Sequence, residues 1–377
     1  MFLNRLYTAY MKKFRFVIVG SGWRSLFYVR IAKEMPEVFE VAALLCRSEE
    51  KAQKIAKENA LYTTTSIEEC KRLNPDFIVV AVNKASIFEV TKEWLQYGFK
   101  VLCETPAALT VEQLSELWKL HQEGKQVLVA EQYRYMPLYQ SYHKIFSSGL
   151  LGTVNFLHIS LAHEYHGANL IRFFLDEGIA DSFSVFAQGY DFETTETLSR
   201  YEIISDGRVS LKKRIIAIFE FTHGKVAIYE FDSEQYRSPI RHNYIKAQGV
   251  RGELQNTSVY WLDKANQPQK AEILVTQRTI TTENENPNLK QKNIVDAIRL
   301  VGTDNVYETL YTPSFKNYEL SEEERTIASL MLKIGQYDRA EAEIELKNTL
   351  QDAYMAILLQ QSLKTGEKIC SERQIWQ

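Results

Sequence analysis

Cysteine is scarce in this chain of 377 residues: there are four, and no two of them form a Cys-x-x-Cys pair. Such scattered cysteines argue against a structural zinc site and against a secreted fold held by disulfides, and they suit a reducing cytoplasm. Long apolar runs are missing as well, because none approaches the ~18 residues that a membrane span requires. We therefore expect a cytoplasmic protein that holds no metal ion and does not enter a membrane.

An excess of charge of either sign is also missing. The 45 lysine and arginine residues nearly balance the 48 aspartate and glutamate residues, and the net charge is −3. Without a positive field, the chain is not expected to hold nucleic acid or an anionic membrane surface. Residues 1–10 contain no apolar core suited to a signal peptide, so we interpret them as an extension or a misplaced start.

The first third of the chain alternates short β-branched runs with amphipathic stretches, which is the pattern of a parallel sheet covered by helices. The predicted strands of this region are residues 14–19, 41–45, 77–82, 101–103 and 126–130. The pattern changes after Pro137, where strands joined by hairpins predict a largely antiparallel sheet. These later strands are residues 153–162, 214–221, 225–231, 243–248 and 271–278, and helices are predicted over 289–301, 322–334 and 340–363.

A glycine-containing turn joins the first predicted strand to the first predicted helix. Its residues are Gly20-Ser21-Gly22-Trp23-Arg24. Glycines there let the backbone approach a pyrophosphate, and the helix N-terminus adds free N–H groups and a positive dipole. The strand–turn–helix context favours a dinucleotide site over an ordinary glycine-containing turn. We predict that these five residues bind the cofactor.

The residues after the second predicted strand indicate which dinucleotide is bound. An NAD site usually places a carboxylate there for the ribose 2′-hydroxyl, whereas this chain has Cys46-Arg47-Ser48. Arg47 can pair with a 2′-phosphate, and Ser48 can donate to it. The alternative is that Arg47 is solvated and Ser48 caps the next helix. We predict NADP or NAD as the cofactor, with a preference for NADP.

Four short motifs, in order along the chain, resemble those of the Gfo/Idh/MocA family of NAD(P)-dependent oxidoreductases, which act mostly on sugars, cyclitols and related polyols. Residues 101–106 (VLCETP) are similar to the family's VLCEKP, and residues 131–137 (EQYRYMP) to its N-x-R-F-x-P segment. Residues 165–172 resemble its second-domain helix, and residues 362–366 its S-x-x-T-G ending. The resemblance runs from Phe14 to Gly366, and the order and spacing of the motifs make it specific.

The resemblance implies an α/β fold. An N-terminal Rossmann dinucleotide-binding domain (residues 1–137) would precede an α/β domain with an open, mostly antiparallel sheet (residues 138–377) for substrate binding and oligomerisation. The free face of such a sheet commonly mediates dimers or tetramers, so we expect a homodimer or homotetramer. Further cofactor-binding residues are predicted at Val82, Asn83, Glu104 and Gln132. Substrate-binding residues are predicted at Thr105, Tyr133, Arg134, His163 and Glu164.

Three positions depart from the family pattern. The lysine of its E-K-P motif is Thr105, the aspartate four residues before its histidine is Ala162, and a histidine common after its fourth strand is Ile87. A threonine hydroxyl is far too weak a base to take the proton of a carbinol alone. His166 stands where the family's histidine faces the nicotinamide. We predict His166 as general base, general acid or ligand of the substrate hydroxyl, and Tyr165 as a proton relay.

Other residues near this histidine have two interpretations. His163 and Glu164 either bind substrate hydroxyls or lie on a solvated turn. A second group follows a strand of the second domain: Gln235, Tyr236, Arg237 and Arg241. These residues could reach a carboxylated or phosphorylated sugar, but we interpret them as exposed loop residues. The spacing of His163 and His166 is one residue too short for the His-Glu-x-x-His zinc motif, so no metal site is predicted.

The resulting hypothesis is an oxidoreductase that transfers a hydride between NAD(P) and a small-molecule sugar, cyclitol or related polyol. A second hypothesis is a redox-neutral, NAD-dependent glycosidase-type enzyme. A third is a regulator of the same fold that binds a dinucleotide without catalysis. The loss of lysine at Thr105 and of aspartate at Ala162 favours the third hypothesis, whereas Glu104 and His166 favour retained catalysis.

Overall fold

The computed structural model describes residues 12–199, 202–281, 291–302, 306–313, 315 and 317–377, so the predicted extension over residues 1–10 lies outside the described residues. The chain divides into two compact units. The described residues of the first unit lie within Met1–Gln132 and Ser314–Ala353, together with Trp376. Those of the second unit lie within Tyr133–Pro313 and Tyr354–Ile375, together with Gln377.

The first unit contains a sheet of six parallel strands. In chain order they are β1 (Phe14–Val19), β2 (Phe39–Leu45), β3 (Thr63–Thr64), β4 (Phe77–Val80), β5 (Val101–Cys103) and β6 (Val127–Val129). Across the sheet the order is 3-2-1-4-5-6, the doubly wound arrangement of dinucleotide-binding folds. Strands β4, β5 and β6 are buried at every position, as expected for a parallel sheet covered on both faces. The predicted Rossmann fold is therefore confirmed.

Helices follow these strands as the alternating pattern predicts. They are α1 (Ser25–Glu34), α2 (Glu49–Asn59), α3 (Ile67–Arg72), α4 (Ile87–Gln96) and α5 (Val111–Gln122). Ser66 caps the N-terminus of α3, and its hydroxyl accepts from the backbone N–H of Glu69. Thr110 caps α5 and accepts from the N–H of Gln113 in the same way. Each cap satisfies a donor that the helix itself leaves unpaired.

The second unit contains a sheet of eleven strands, and every neighbouring pair is antiparallel except β7 with β10. The strands are β7 (Val154–Ser160), β8 (Phe183–Thr195), β9 (Val209–Phe221), β10 (Val226–Asp232), β11 (Tyr244–Gly249), β12 (Gly252–Gln255), β13 (Ser258–Leu262), β14 (Pro268–Thr281), β15 (Gln291–Gly302), β16 (Val306–Tyr311) and β17 (Ile369–Cys370). Their order is 16-15-14-13-12-11-7-10-9-8-17. The predicted, mostly antiparallel second sheet is confirmed.

One face of this sheet is covered by helices. Helix α6 (Pro137–Ser147) contacts β15 and β16, and helix α7 (Glu164–Leu175) contacts β7. On β8 and β9, alternate residues such as Val185 and Phe219 are fully buried. Their neighbours on the opposite face remain accessible, and Phe186 is 39% and Ile218 41% exposed. The alternation separates a core face from an open face.

Strand β15 replaces the helix that we predicted over residues 289–301. Its apolar residues are spaced like one face of a helix, since Ile294, Val295 and Ile298 are all buried. The register between β14 and β15 shifts at this point, where Gln277 pairs with Val295 and Thr276 with Ala297. The unpaired residue forms a bulge that turns two consecutive side chains inward. The bulge therefore produces the helix-like spacing, and the prediction was wrong.

Two helices follow the second sheet, α8 (Glu322–Gln336) and α9 (Arg339–Thr365). Helix α8 belongs to the first unit, although the predicted division at residue 137 placed it in the second. Its Gly335 lies against the ring of Phe14, and the Lys100 ammonium donates to the Gly335 carbonyl at 2.9 Å. Among the described residues, no helix is long and apolar enough to cross a membrane.

Candidate functional site

The glycine turn after β1 has the conformation that the dinucleotide hypothesis requires. Gly20 has a φ of +121°, and a Cβ at this position would lie 2.2 Å from the Ala81 carbonyl oxygen. Its N–H donates to the Leu45 carbonyl at 3.1 Å, which holds the turn between the ends of two strands. At Gly22, by contrast, no atom lies within 4 Å of an added Cβ. Glycine is thus required at Gly20 by packing, whereas Gly22 faces open space.

Helix α1 begins directly at this turn. Arg24 occupies its N-cap position, and no side chain caps the helix. The N-terminus therefore presents backbone N–H groups and the positive end of the helix dipole beside Gly22. A pyrophosphate fits this cradle, because it needs close backbone approach and N–H donors.

The Arg24 guanidinium joins two carboxylates within the first unit. Its Nε lies 2.6 Å from Glu104 Oε1, and its Nη1 lies 2.6 Å from Glu323 Oε1. The Tyr28 hydroxyl also donates to Glu104 Oε1 at 2.6 Å. Burial disfavours the charge on Arg24, but Glu104 and Glu323 outweigh it and raise its pKa. Burial and Glu104 raise the pKa of the Tyr28 phenol. We call these four residues the charged cluster.

Gln132 extends the charged cluster. Its side-chain amide donates to Glu323 Oε1 at 3.1 Å, and the residue is 4% exposed. Among the residues that the structure describes, its Oε1 is buried and has no hydrogen-bond partner. An orphaned acceptor of this kind calls for an additional donor, such as an amide of a ligand. The structure therefore brings together the predicted cofactor residues Arg24, Glu104 and Gln132. The Oε1 atom of Gln132 is the acceptor that a ligand could use.

The other predicted cofactor residues lie at the ends of β2 and β4. Arg47 and Ser48 are exposed, and the Ser48 side chain makes no capping bond to α2, although the residue stands at the N-cap. Arg47 forms no ion pair with any residue in the described part of the chain. After β4, Val82 is half-buried and Asn83 is exposed, and the Asn83 Oδ1 accepts from the Ser86 N–H at 3.1 Å.

In the second unit, His163 is held between two tyrosine hydroxyls. Its Nδ1 hydrogen-bonds to the Tyr236 hydroxyl, and its Nε2 lies 3.0 Å from the Tyr165 hydroxyl. The backbone N–H of His163 also donates to the Tyr236 oxygen at 3.0 Å. The oxygens of Tyr133 and Tyr236 lie 3.4 Å apart. We call Tyr133, Tyr236, His163 and Tyr165 the tyrosine–histidine chain.

His166 lies against this chain near the start of α7. It is 4% exposed, and its ring stacks on the ring of Tyr133 with centroids 4.1 Å apart. The ring of Tyr165 is 4.3 Å away and that of His163 is 4.9 Å away. The predicted catalytic pair, His166 and Tyr165, is thus brought together with the predicted substrate residues Tyr133 and His163.

The remaining predicted substrate residues have other neighbours. The Glu164 backbone N–H donates to the Tyr229 hydroxyl at 2.7 Å. The Arg134 guanidinium lies over the Phe173 ring at 5.4 Å. Thr105 belongs to the first unit, where its N–H donates to Glu104 Oε2 at 3.3 Å. No group of three His, Cys, Asp or Glu side chains that could hold a metal occurs among the described residues.

Three participants were missed by sequence reasoning. Glu323 and Tyr28 carried no motif, and Tyr236 was interpreted as an exposed loop residue. Tyr236 is 38% exposed, yet its hydroxyl contacts His163. A capping box between Asp232 and Gln235 holds the turn Ser233–Tyr236. The spacing of Asp232 and Gln235 is typical of such a box, and this pattern in the sequence could have revealed the turn.

The family comparison matches residues that lie almost entirely in the first unit. Residues 14–133 match the model of the Gfo/Idh/MocA oxidoreductase family, described as an NAD-binding Rossmann fold. An uncharacterised oxidoreductase of Synechocystis is 27% identical to the chain over 146 residues, 38% of the chain and 39% of the relative. A second, from Schizosaccharomyces pombe, is 29% identical over 150 residues and is matched over 40% of its length, so the chain spans about two fifths of these curated relatives.

Solved structures share the fold over nearly the whole chain. The scyllo-inositol dehydrogenase of Lactobacillus casei has a TM-score of 0.62 at 13% identity, with 96% of this chain and 99% of that chain covered. GenD2 from gentamicin A biosynthesis, solved in complex with NAD, has a TM-score of 0.64 at 13% identity, with 97% and 98% covered. At these identities the similarity establishes the fold alone.

Proposed function

We propose that this protein is an NAD(P)-dependent oxidoreductase that transfers a hydride between the nicotinamide and a CH–OH carbon of its substrate. The observation that carries the proposal is the cradle after β1. Gly20 is required there by packing, Gly22 faces open space, and α1 begins without a side-chain cap. A dinucleotide is the ligand that this geometry fits. The names of the similar proteins, oxidoreductases and dehydrogenases, support the same reaction class.

The residues of the second unit would handle the proton. The nicotinamide, when bound, supplies or accepts the hydride. His166 or Tyr165 takes the hydroxyl proton of the substrate, a role that the Thr105 hydroxyl cannot fill alone. Ala162 and Ile87, at the family's aspartate and histidine positions, are fully buried and apolar. Proton transfer therefore depends on the histidines and tyrosines around α7.

The substrate class that we propose is a cyclitol, sugar or related polyol. Inositol dehydrogenases are among the proteins that share the fold. Several hydroxyl and imidazole groups cluster around His166, and such groups both donate to and accept from the hydroxyls of a polyol. Tyr133, Arg134, His163, Glu164 and Thr105 are the proposed substrate contacts.

We propose NADP as the preferred cofactor. Arg47 is exposed at the end of β2, and the Ser48 hydroxyl is not used as a helix cap. A guanidinium and a hydroxyl at this position suit a 2′-phosphate, since charge-assisted hydrogen bonds to phosphate are among the stronger polar contacts.

Self-association through the open face of the second sheet is a further part of the proposal. Phe186 and Ile218 pair across β8 and β9, and Ile216 follows on the same face at 37% exposure. Neighbouring exposed apolar residues on a sheet are typical of an interface, and a second copy would bury them. Light scattering should show a dimer or tetramer, and Ile218→Glu should give monomers. A monomeric parent protein at micromolar concentration would contradict this part.

The cytoplasmic location stays a proposal that rests on cysteine chemistry. Cys46, Cys70, Cys103 and Cys370 are free, and the first three are buried. Free cysteines suit a reducing compartment. Cell fractionation of the tagged, full-length protein tests the location.

Fluorescence titration with NADPH and NADH, followed by a panel of myo-inositol, scyllo-inositol, sugars and nitrophenyl glycosides, tests the function. We expect binding and polyol-dependent reduction of NADP⁺. Gly22→Glu supplies the control, because its side chain enters open space and should change the free energy of unfolding by no more than about 0.5 kcal/mol. Its carboxylate should nevertheless abolish dinucleotide binding. Failure of the parent protein to bind either cofactor would overturn the proposal, and binding without any turnover would favour the regulator.

A further inference from the structure

We propose that the tyrosine–histidine chain is a proton relay, in which Tyr165 takes the hydroxyl proton of the substrate and Tyr133 delivers a proton to solvent. The inference rests on the proposed oxidoreductase function and deepens it. It assigns a role to Tyr236, which neither the motifs nor the comparisons indicate. It also changes the roles of His163 and Tyr133 from substrate contacts to proton carriers.

The contacts form an unbroken path through four side chains. His163 Nε2 lies 3.0 Å from the Tyr165 hydroxyl, and its Nδ1 hydrogen-bonds to the Tyr236 hydroxyl. The next step, from Tyr236 to Tyr133, spans 3.4 Å between oxygens. An imidazole that is bonded at both nitrogens can accept a proton at one and release a different proton at the other. The path therefore has the chemistry of a relay as well as its geometry.

The backbone around the path keeps its middle members in place. Tyr236 ends the turn Ser233–Tyr236, and the capping box between Asp232 and Gln235 closes that turn. Gln235 also donates to the Ser160 carbonyl at 3.1 Å, which ties the turn to β7. The His163 N–H donates to the Tyr236 oxygen at 3.0 Å. A rigid support of this kind keeps the hydrogen-bonded geometry that proton transfer requires.

The proton balance of the relay is simple. In oxidation of the substrate, the carbinol O–H bond breaks and its proton passes to the Tyr165 oxygen. The Tyr165 proton moves to His163 Nε2, the Nδ1 proton moves to Tyr236, the Tyr236 proton moves to Tyr133, and one proton leaves Tyr133. The O–H electron pair becomes the second carbon–oxygen bond, and the pair of the broken C–H bond leaves with the hydride, so every relay member ends neutral. Reduction of the substrate runs the same path backwards.

Exposure places the exit of the path at Tyr236 and Tyr133. Both end tyrosines, Tyr165 and Tyr133, pack on the buried ring of His166, with centroids 4.3 and 4.1 Å from it. Tyr236, the neighbour of Tyr133 in the path, is 38% exposed, so a proton that reaches this side can pass to water. No step places a net charge in the interior, where an unpaired charge is costly. The relay thus replaces the single lysine that the sequence lacks at Thr105.

Nitrogen NMR of the full-length, histidine-labelled protein tests the path without any substrate. Tyr165→Phe should shift the His163 Nε2 resonance, and Tyr236→Phe should shift its Nδ1 resonance. The His163→Gln variant identifies the two signals. Tyr244→Phe is the matched control, since Tyr244 also lies beside a histidine, with its ring 5.0 Å from that of His158 on another strand. Unchanged His163 signals in both relay variants would overturn the proposal.

Turnover tests the role of the path. On any polyol that the panel identifies, Tyr236→Phe should lower kcat by about ten- to a hundredfold with KM nearly unchanged, since proton transfer is lost but substrate contacts remain. A proton inventory in mixed light and heavy water should be curved in the parent protein and closer to linear in this variant. Equal kcat would overturn the relay. Absence of turnover on every polyol contradicts the proposed function instead, while the NMR result still decides the path.

Discussion

The charged cluster of the first unit and the tyrosine–histidine chain of the second are both small hydrogen-bonded networks, but they are made of different groups. In the first, Arg24 is paired at 2.6 Å with each of two carboxylates. In the second, His163 contacts the hydroxyls of Tyr165 and Tyr236. One network consists of fixed charges, and the other consists of groups that both donate and accept.

This difference determines what each network can do. Glu104 and Glu323 raise the pKa of Arg24 despite its burial, and burial together with Glu104 raises that of Tyr28, so both keep their protons. Such a cluster positions side chains and stabilises the unit, because a buried charge is tolerable only when it is paired. Protons can instead move along a neutral chain without leaving a charge behind. The comparison predicts that substitutions in the first unit affect stability and binding, and those in the second affect turnover.

The largest expected effect comes from His166→Ala. It should lower kcat by about 10²–10⁴-fold, the range of a lost general acid or base, because the His166 ring packs against Tyr165, the proton acceptor of the relay. The Kd for NADPH should stay unchanged. His143→Ala is the control, because the His143 ring also stacks on an aromatic ring of the second unit, that of Phe173 at 4.0 Å. Steady-state kinetics and fluorescence titration give the two quantities. Intact turnover in His166→Ala would mean that Tyr165 takes the substrate proton without support from the His166 ring.

Arg24→Leu tests whether the charged cluster stabilises the first unit. It leaves the buried Glu104 carboxylate without its cation and should lower the free energy of unfolding by about 3 kcal/mol. Arg15→Leu removes a matched pair at the surface, since Arg15 and Glu40 are 44% and 41% exposed, and should cost at most about 1 kcal/mol. Urea unfolding measures both. Equal losses in the two variants would mean that the charged cluster does not stabilise the first unit.

Arg47→Ala tests whether a residue of the first unit contributes to NADPH binding. Loss of an arginine–phosphate contact should weaken NADPH binding by about ten- to a hundredfold, or ~1.5–3 kcal/mol, and leave NADH binding unchanged. Lys51→Ala removes another exposed cation a short distance along the chain and should change neither affinity. Tighter binding of NADH than of NADPH by the parent protein would contradict the proposed preference.

The smallest expected effect is that of Thr105→Lys. Because the relay already provides a path for the proton, an added ammonium beside Glu104 should crowd the site and lower turnover by about two- to tenfold, at most ~1.4 kcal/mol in the barrier. Thr105→Met adds similar bulk without charge and serves as the control. A rise in turnover would mean that the family's lysine had been lost without replacement, and the distinction between the two networks would fail.

Local patterns were sufficient for much of the fold. Alternating strands and helices predicted the parallel sheet, and hairpin-joined strands predicted the antiparallel one, because side-chain periodicity reflects which faces are buried. The same rule failed for β15, where Ile294 and Val295 are both buried through a shift in register. A bulge depends on the partner strand, and so periodicity within one strand cannot reveal it.

The sequence by itself determined the glycine turn, since a tight strand–helix turn depends on neighbouring residues alone. It also placed His163, Tyr165 and His166 together, because they lie within four consecutive positions. Only the tertiary structure decided that Glu323 pairs with Arg24, 299 positions away, and that Tyr236 meets His163, 73 positions away. Contacts at such separations arise from the packing of whole elements, which no local pattern records.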